Sequence, residues 1–467
     1  MTTCRAELPV VVVGAGPVGL AAAAHLLERG LEPLVLEAGD EVGAAVRAWG
    51  HVRLFSPWRY DVDAAAARLL APTGWQHPEP TGLPTGAELV ERYLAPLAAT
   101  AQLAPRIRTG ARVVAVSRAG MDKTHSLGRD ERPFLVRVRH RDGTLADHHA
   151  RAVVDASGTW EQRNPLGVSG LPAPGEAEAA PFLAGPLPDV LGTDRERFAG
   201  RRVLVVGAGH SATSTLLHLV ALADEAPGTR VVWAVRGSSA ERSFGGGDRD
   251  GLPARGALGA RLREAVETGR VDLRTGFGVR ALEPGDAEVT VVASTPRGEE
   301  RLVVDVVAAA TGFRPDLEVL RELRLDLDPG VEAPSRLAPL IDPEFHSCGT
   351  VPPHGADVLA HLGEPGFFVA GTKSYGRAPT FLLATGYEQV RSVAAHLAGD
   401  AGAAADVRLD LPATGVCSTA APAVAADGST EVDGSDDSGS CCGSSAPQPV
   451  GVGFSTGLLH GRSGGGR

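Results

Sequence analysis

The 467-residue sequence predicts an α/β fold of two doubly wound units, the second inserted into the first. Three observations lead there. The apolar run Leu8 to Val13 is followed by Gly14-Ala15-Gly16-Pro17-Val18-Gly19 and then by the alanine-rich stretch Leu20 to Arg29. The same order returns at Val203-Leu204-Val205-Val206, Gly207-Ala208-Gly209-His210-Ser211-Ala212 and Thr213 to Ala223. Both units also leave alike: Val153-Val154-Asp155 runs into Ala156-Ser157-Gly158, and Asp305 with Val306 to Ala310 runs into Thr311-Gly312-Phe313. One G-x-G-x-x-G is weak evidence. Two, each between a strand-like and a helix-like run, mark a chain that cradles two dinucleotides.

Each loop has the same physics. Gly14 and Gly207 permit the tight turn, and Gly16 and Gly209 let the backbone approach a pyrophosphate. Gly19 and Ala212 let the helix pack closely, so that its N-terminal amides and dipole face the phosphates; Pro17 suits the first helical position. The follow-up residues differ. Eighteen residues beyond Gly19, Leu34-Val35-Leu36 ends in Glu37, an acceptor for a ribose diol that repels a 2′-phosphate. Val231-Val232-Trp233-Ala234-Val235 ends instead in Arg236, whose guanidinium suits that phosphate. The first site is therefore expected to hold FAD or NAD and the second NADPH. The plainer reading is a glycine turn in an ordinary doubly wound domain and a solvated arginine.

The remaining elements follow in order. An aromatic-rich loop, Gly39 to Tyr60, carries Trp49, Phe55, Trp58 and Tyr60, either as core or as a roof over a flat ring. A helix is predicted from Thr85, capped by Thr85 and Glu88 as a capping box. Alternating runs at Ala111 to Ser117, Phe134 to His140 and Thr144 to Ala150 predict a small antiparallel sheet. Domain limits are placed at 1–163 (first dinucleotide domain, first part), 164–315 (inserted domain) and 316–398 (first domain, second part). In the last, Phe367-Phe368-Val369-Ala370-Gly371 reads as a strand, and Thr372 to Thr380 leads into a helix from about Phe381 to Leu397. Gly371, Lys373 and Arg377 would lie near the first cofactor, the two cations either facing it or simply solvated. Residues 399–467, rich in Gly, Ser and Ala, read as a disordered tail.

Composition excludes several classes. Hydrophobic content of 43% with 22% charged residues is ordinary for an enzyme, and the net charge of −11 argues against nucleic acid or an anionic membrane as partner. No apolar run is long enough to span a bilayer, and the first strand begins too early for a signal peptide, so the cytoplasm is the expected compartment. Five cysteines (Cys4, Cys348, Cys417, Cys441, Cys442) form no C-x-x-C pair, which argues against a dithiol mechanism. Two loose clusters, Cys417 with Cys441-Cys442 and His346-x-Cys348 with His354, are candidates for a soft metal or metalloid; no resident metal is expected. Asn164 is the sole asparagine. Oligomeric state has no signature, and a homodimer stays open.

Together, the first loop with Glu37, the Gly-x-Gly-x-Ser-Ala loop, Ala310-Thr311-Gly312-Phe313 and Phe198 to Gly207 resemble the two-dinucleotide-binding flavoprotein superfamily of glutathione-reductase-like architecture. Flavin-containing and N-hydroxylating monooxygenases are the nearer likeness. A narrower likeness is to flavoproteins of bacterial arsenic-resistance operons, on Trp49 to Trp58, Asp155 to Trp160, Gly207 to Ala212 and Lys373 to Thr380. The resemblance implies FAD at the first site, NADPH at the second, and dioxygen with a small soft nucleophile as reactants. There are departures. Phe198-x-Gly200 reaches Leu204 where the monooxygenase pattern Phe-x-Gly-x-x-x-His has histidine, and the family's flavin-proximal asparagine near Phe55 is missing. The rival expectations are an NADPH-dependent reductase or oxidase without oxygen transfer and a non-catalytic thiol module for a trivalent metalloid.

Overall fold

A computed structural model describes residues 7–343, 351, 354–378, 381–407 and 409. Two five-stranded parallel sheets carry the chain. The first runs Phe367–Val369, Ala152–Asp155, Val10–Val13, Pro33–Leu36, Ile107–Arg108; the second runs Asp272–Arg274, Arg230–Ala234, Arg202–Val206, Val306–Ala309, Leu183–Ala184. The first sheet thus takes strands from both sides of the sequence that builds the second. Each sheet's central strand is a valine-rich run covered on both faces, which is why its sequence is continuously apolar rather than alternating. Register fixes the two loops: Val13 lies opposite Leu36 and Asp155, and Val206 opposite Ala234 and Ala309, so Gly14 and Gly207 leave from the carboxyl edges.

Two three-stranded antiparallel sheets flank them, Ala111–Arg118 with Phe134–His140 and Leu145–Ala150, and Gly278–Pro284 with Val289–Thr295 and Gly298–Val304. Along Phe134–His140 buried and open positions alternate as a one-sided sheet requires. A buried triad that sequence patterning did not reveal fastens this sheet to the returning chain. Glu364 accepts from Arg118 Nε at 2.9 Å and Arg129 Nη2 at 2.6 Å, and the Arg118 guanidinium lies 3.6 Å from the Phe134 ring centroid.

The helix after Thr85 begins with the predicted capping box: Glu88 N donates to Thr85 Oγ1 at 3.1 Å and Thr85 N to Glu88 Oε2 at 2.7 Å. It then widens into a π turn at Val90–Leu94. Pro96 has no N–H for the Arg92 carbonyl, and Trp75 Nε1 takes that carbonyl at 2.7 Å. The last long helix, Leu383–Leu397, packs on Pro17–Glu28 behind the first loop. The expectation of disorder from residue 399 is corrected at its start. Asp400 caps a further helix, Ala401–Ala405, and Ser392 Oγ donates to the Ala404 carbonyl at 2.6 Å. Cys417, Cys441, Cys442, His346 and Cys348 lie outside the described residues. No described helix is long and apolar enough to cross a membrane.

Candidate functional site

The first loop opens into a cavity of about 1180 Å³ whose wall includes Gly14, Gly16, Pro17, Glu37, Gly371 and Lys373. Gly14 has φ +94°, and a Cβ there would stand 2.9 Å from the Ala156 carbonyl oxygen. Gly16 caps the helix Pro17–Glu28 with open space in front of it: a Cβ would meet nothing within 4 Å among the described residues. That open cradle beside the helix N-terminus fits a pyrophosphate. Gly19 does not line the cavity. A Cβ at Gly19 would lie 1.9 Å from the Gly14 carbonyl oxygen, so the helix is pressed on the loop itself as well as near Val12 of its strand.

Glu37 is more tightly held than the sequence suggested. Ala15 N donates to Oε2 at 2.6 Å and Gly39 N to Oε1 at 2.7 Å. The carboxylate therefore ties the phosphate loop to the second strand, and each oxygen keeps acceptor capacity for a ribose hydroxyl.

Lys373 overturns one of the two readings offered for it. It is 1% exposed, hence not a solvated loop cation. Its Nζ donates to Asp155 Oδ2 at 2.6 Å and to Ser157 Oγ at 3.1 Å, hence it is no unpaired positive charge either. Arg377 is the solvated one. Gly371 (φ +69°) donates its N–H to Gln389 Oε1 at 2.8 Å, and Phe381, Leu382 and Leu383 bring the start of the last long helix to the cavity wall. The aromatic loop divides: Trp49 and Phe55 line the cavity, Trp58 is core, and Tyr60 stacks under Arg59 away from it.

The second loop repeats the design. Gly207 has φ +137° with a Cβ position 2.0 Å from the Ala310 carbonyl oxygen, and Gly209 caps the helix His210–Glu225 with nothing within 4 Å. Here too the cradle fits a pyrophosphate. Trp233 Nε1 donates to the Gly207 carbonyl at 2.7 Å and Ser243 Oγ to that of Ala208 at 2.9 Å, supports with no local sequence signal. Arg236, just past Arg230–Ala234, is exposed and makes no ion pair among the described residues, so its guanidinium is available. His210 contacts the other domain, its ring centroid 5.0 Å from that of Phe55. Burial, and after it the Arg255 charge, pushes its pKa down to about 4 against the pull of Asp250, so near neutral pH it is an uncharged ring.

Thr311 and Gly312 do not line the cavity; they form the crossing between domains. Thr311 Oγ1 donates to the Asn164 carbonyl at 2.6 Å, Asn164 Nδ2 donates to the Thr311 carbonyl at 3.1 Å, and Arg163 bridges Phe313. The two segments that cross between the sheets are thus tied together, in part through the chain's one asparagine. His354, from the second candidate metal cluster, is buried against Gln389 at 2.9 Å. Among the described residues no group of three or more His, Cys, Asp or Glu could hold a metal.

Two cradles of this kind in one chain, each at the carboxyl edge of a parallel sheet, define an oxidoreductase of the two-dinucleotide class. The chain belongs to the pyridine nucleotide-disulphide oxidoreductase family, whose profile matches residues 11–347. Similar solved structures include a bacillithiol disulfide reductase from Bacillus cereus (20% identity, TM-score 0.61, covering 84% of this chain and 99% of that one). A flavin monooxygenase variant from Stenotrophomonas maltophilia shares 24% identity (TM-score 0.53, 84% and 98% covered). An ornithine N-hydroxylase from a Kutzneria species, solved with reduced FAD, NADP+ and L-ornithine, shares 16% (TM-score 0.56, 84% and 99% covered). At these identities the likeness is one of fold.

Proposed function

We propose that this chain is an FAD-dependent, NADPH-consuming oxidoreductase acting on a small molecule, with FAD in the first site and NADPH in the second. The observation that carries the reading is the pair of open cradles at Gly16 and Gly209, one facing the 1180 Å³ cavity beside Glu37 and the other followed by the exposed Arg236. When bound, the flavin supplies two-electron chemistry between nicotinamide and acceptor. The chain's residues do the rest. Gly14 to Gly19 and Gly207 to Ala212 orient the two pyrophosphates, Glu37 accepts from the ribose, and Arg236 selects the 2′-phosphate. Trp49 and Phe55 cover the ring region and keep out water. The Asp155–Lys373 pair holds the segment around Gly371 rigid without adding net charge to the cavity.

Oxygenation of a soft nucleophile is the acceptor step we favour, in keeping with the monooxygenase resemblance; a trivalent arsenical fits that chemistry, though only the resemblance points to it. A second reading, a reductase or oxidase without oxygen transfer, is favoured by one specific observation: Leu204, fully buried in the central strand, occupies the place of the monooxygenase histidine. Anaerobic NADPH should bleach the flavin of the purified protein. Admission of oxygen with a candidate nucleophile should then yield oxygenated product in step with NADPH consumed. Peroxide alone would select the second reading, and a flavin that NADPH never bleaches would overturn both.

A further inference from the structure

Behind the cavity wall lies a buried carboxyl that the scheme above leaves unused, and the inference it carries rests on that redox reading. Ser56 lines the cavity and is itself 5% exposed. Its hydroxyl donates to Asp61 Oδ1 at 2.8 Å, and Asp61 is wholly buried, at 0% exposure. Pro57 turns the chain into the short helix Trp58–Asp61, so residues five apart face one another across a single turn. The second carboxyl oxygen, Asp61 Oδ2, has no hydrogen-bond partner among the described residues. A buried carboxylate requires partners on both oxygens, whereas the neutral acid with its proton on Oδ1, toward Ser56 Oγ, leaves only a weakly accepting carbonyl oxygen unpaired.

Tyr387 Oη donates to the Asp61 backbone carbonyl at 2.7 Å, and Asp63 N donates to Tyr93 Oη at 3.1 Å. His25 is engaged with Asp63 Oδ2 at 2.9 Å, and among the described residues no lysine or arginine pairs with Asp61. Burial thus outweighs the Ser56 bond and lifts the Asp61 pKa to about 7. A group poised there exchanges protons readily at neutral pH.

We propose that Asp61 is the proton source of the cavity and that Ser56 relays its proton inward. NADPH delivers a hydride, which is two electrons and one proton. Conversion of dioxygen to hydrogen peroxide consumes two electrons and two protons, and oxygenation of a substrate with release of water has the same balance. One proton per turnover must therefore come from elsewhere. The relay runs from the neutral acid: the Ser56 hydroxyl turns its hydrogen to the cavity while a proton on Asp61 Oδ1 donates to Ser56 Oγ across the same 2.8 Å contact. Oγ gives its own proton to the acceptor and takes that of Oδ1, and the carboxylate left behind is reprotonated from solvent before the next turnover.

The test uses the flavin-loaded protein and the flavin-free protein in parallel. With the loaded protein, NADPH oxidation and oxygen uptake are followed from pH 5 to 9. Wild type should lose rate as pH rises through about 7, where Asp61 loses its proton. Asp61→Asn and Ser56→Ala should be slower by about 10²-fold at neutral pH, with that pH dependence gone, and Ser56→Thr should recover most of the rate. With the flavin-free protein, chemical denaturation is followed from pH 4 to 8. Because burial raises the folded-state pKa of Asp61, the folded protein holds this proton more tightly than the unfolded chain. Its stability relative to Asp61→Asn should therefore fall as pH rises from about 4 to about 7 and then level off. Ser56→Ala should keep that decline, which separates relay from titration. Active Asp61→Asn and Ser56→Ala proteins with the wild-type pH profile would overturn the relay alone, as would a stability difference flat across pH 4 to 7. A wild-type protein that binds flavin and never oxidises NADPH would instead overturn the redox reading, and the relay with it.

Discussion

The two glycine loops share a backbone and differ in their surroundings. In each, the first glycine sits at positive φ against a carbonyl of the neighbouring strand's exit, Ala156 in one and Ala310 in the other, and the second faces open space. At the third position they part. Gly19 sits where a Cβ would be 1.9 Å from the Gly14 oxygen, whereas Ala212 is accommodated, fully buried. The first helix is therefore pulled one methyl group closer to its loop than the second. The aspartates on the two exit strands part as well. Asp155 is buried and paired with Lys373, lining the cavity; Asp305 stands at the near end of its strand and holds Arg202 through its N–H and guanidinium, both at 2.7 Å. A repeated sequence pattern thus yields a repeated backbone, and the long-range partners give each copy its own chemistry.

That comparison can be broken or sharpened by substitution. The largest effects belong to positions where space is absent. Gly207→Ala, at φ +137° against the Ala310 oxygen, should destabilise the fold by on the order of 4 kcal/mol in chemical denaturation. Lys373→Met should cost about 3–5 kcal/mol by leaving Asp155 buried without its cation, and adding Asp155→Asn should restore most of it. If the double variant is no better than the single one, the pair is not the reason Lys373 is buried. Gly19→Ala should cost about 2–3 kcal/mol, while the mirror change Ala212→Gly should cost about 1 kcal/mol or less. Equal losses would mean the two helices stand at the same distance from their loops.

A different kind of effect is expected where space is open. Gly16→Val should leave the flavin-free fold within about 1 kcal/mol of wild type and abolish flavin retention, read from the visible spectrum of the purified protein. A fully yellow variant would show that no pyrophosphate lies there. Arg236→Ala is the mildest. It should raise the KM for NADPH by roughly tenfold and leave that for NADH nearly unchanged; equal rises would remove the 2′-phosphate from the account.

Much of this was legible in the chain itself. Glycine, a strand-like run before it and a helix-like run after it are local facts, and local backbone physics turns them into the two cradles. The Thr85–Glu88 capping box is likewise written within four residues. What could not be read are interactions spanning long stretches of sequence. Lys373 reaches Asp155 across 218 residues, and Glu364 reaches Arg118 across 246. Asn164 meets Thr311 across 147, which is why a residue noticed only for being alone proved to help tie the two crossing segments together. Ser56 and Asp61 are close in sequence, yet nothing in that spacing says that the serine borders the cavity while the carboxyl is sealed behind it. That distinction depends on Tyr93 and Tyr387 closing over the segment from other helices.

The sequence by itself determined the backbone of both cradles and their setting between a strand and a helix, because φ preferences and apolar runs act over a few residues. Only the tertiary structure decided which charges are neutralised, which glycine is under steric compulsion and which carboxyl keeps its proton. Those properties depend on the dielectric and the partners that distant segments bring, and burial does not exist until the chain has closed on itself.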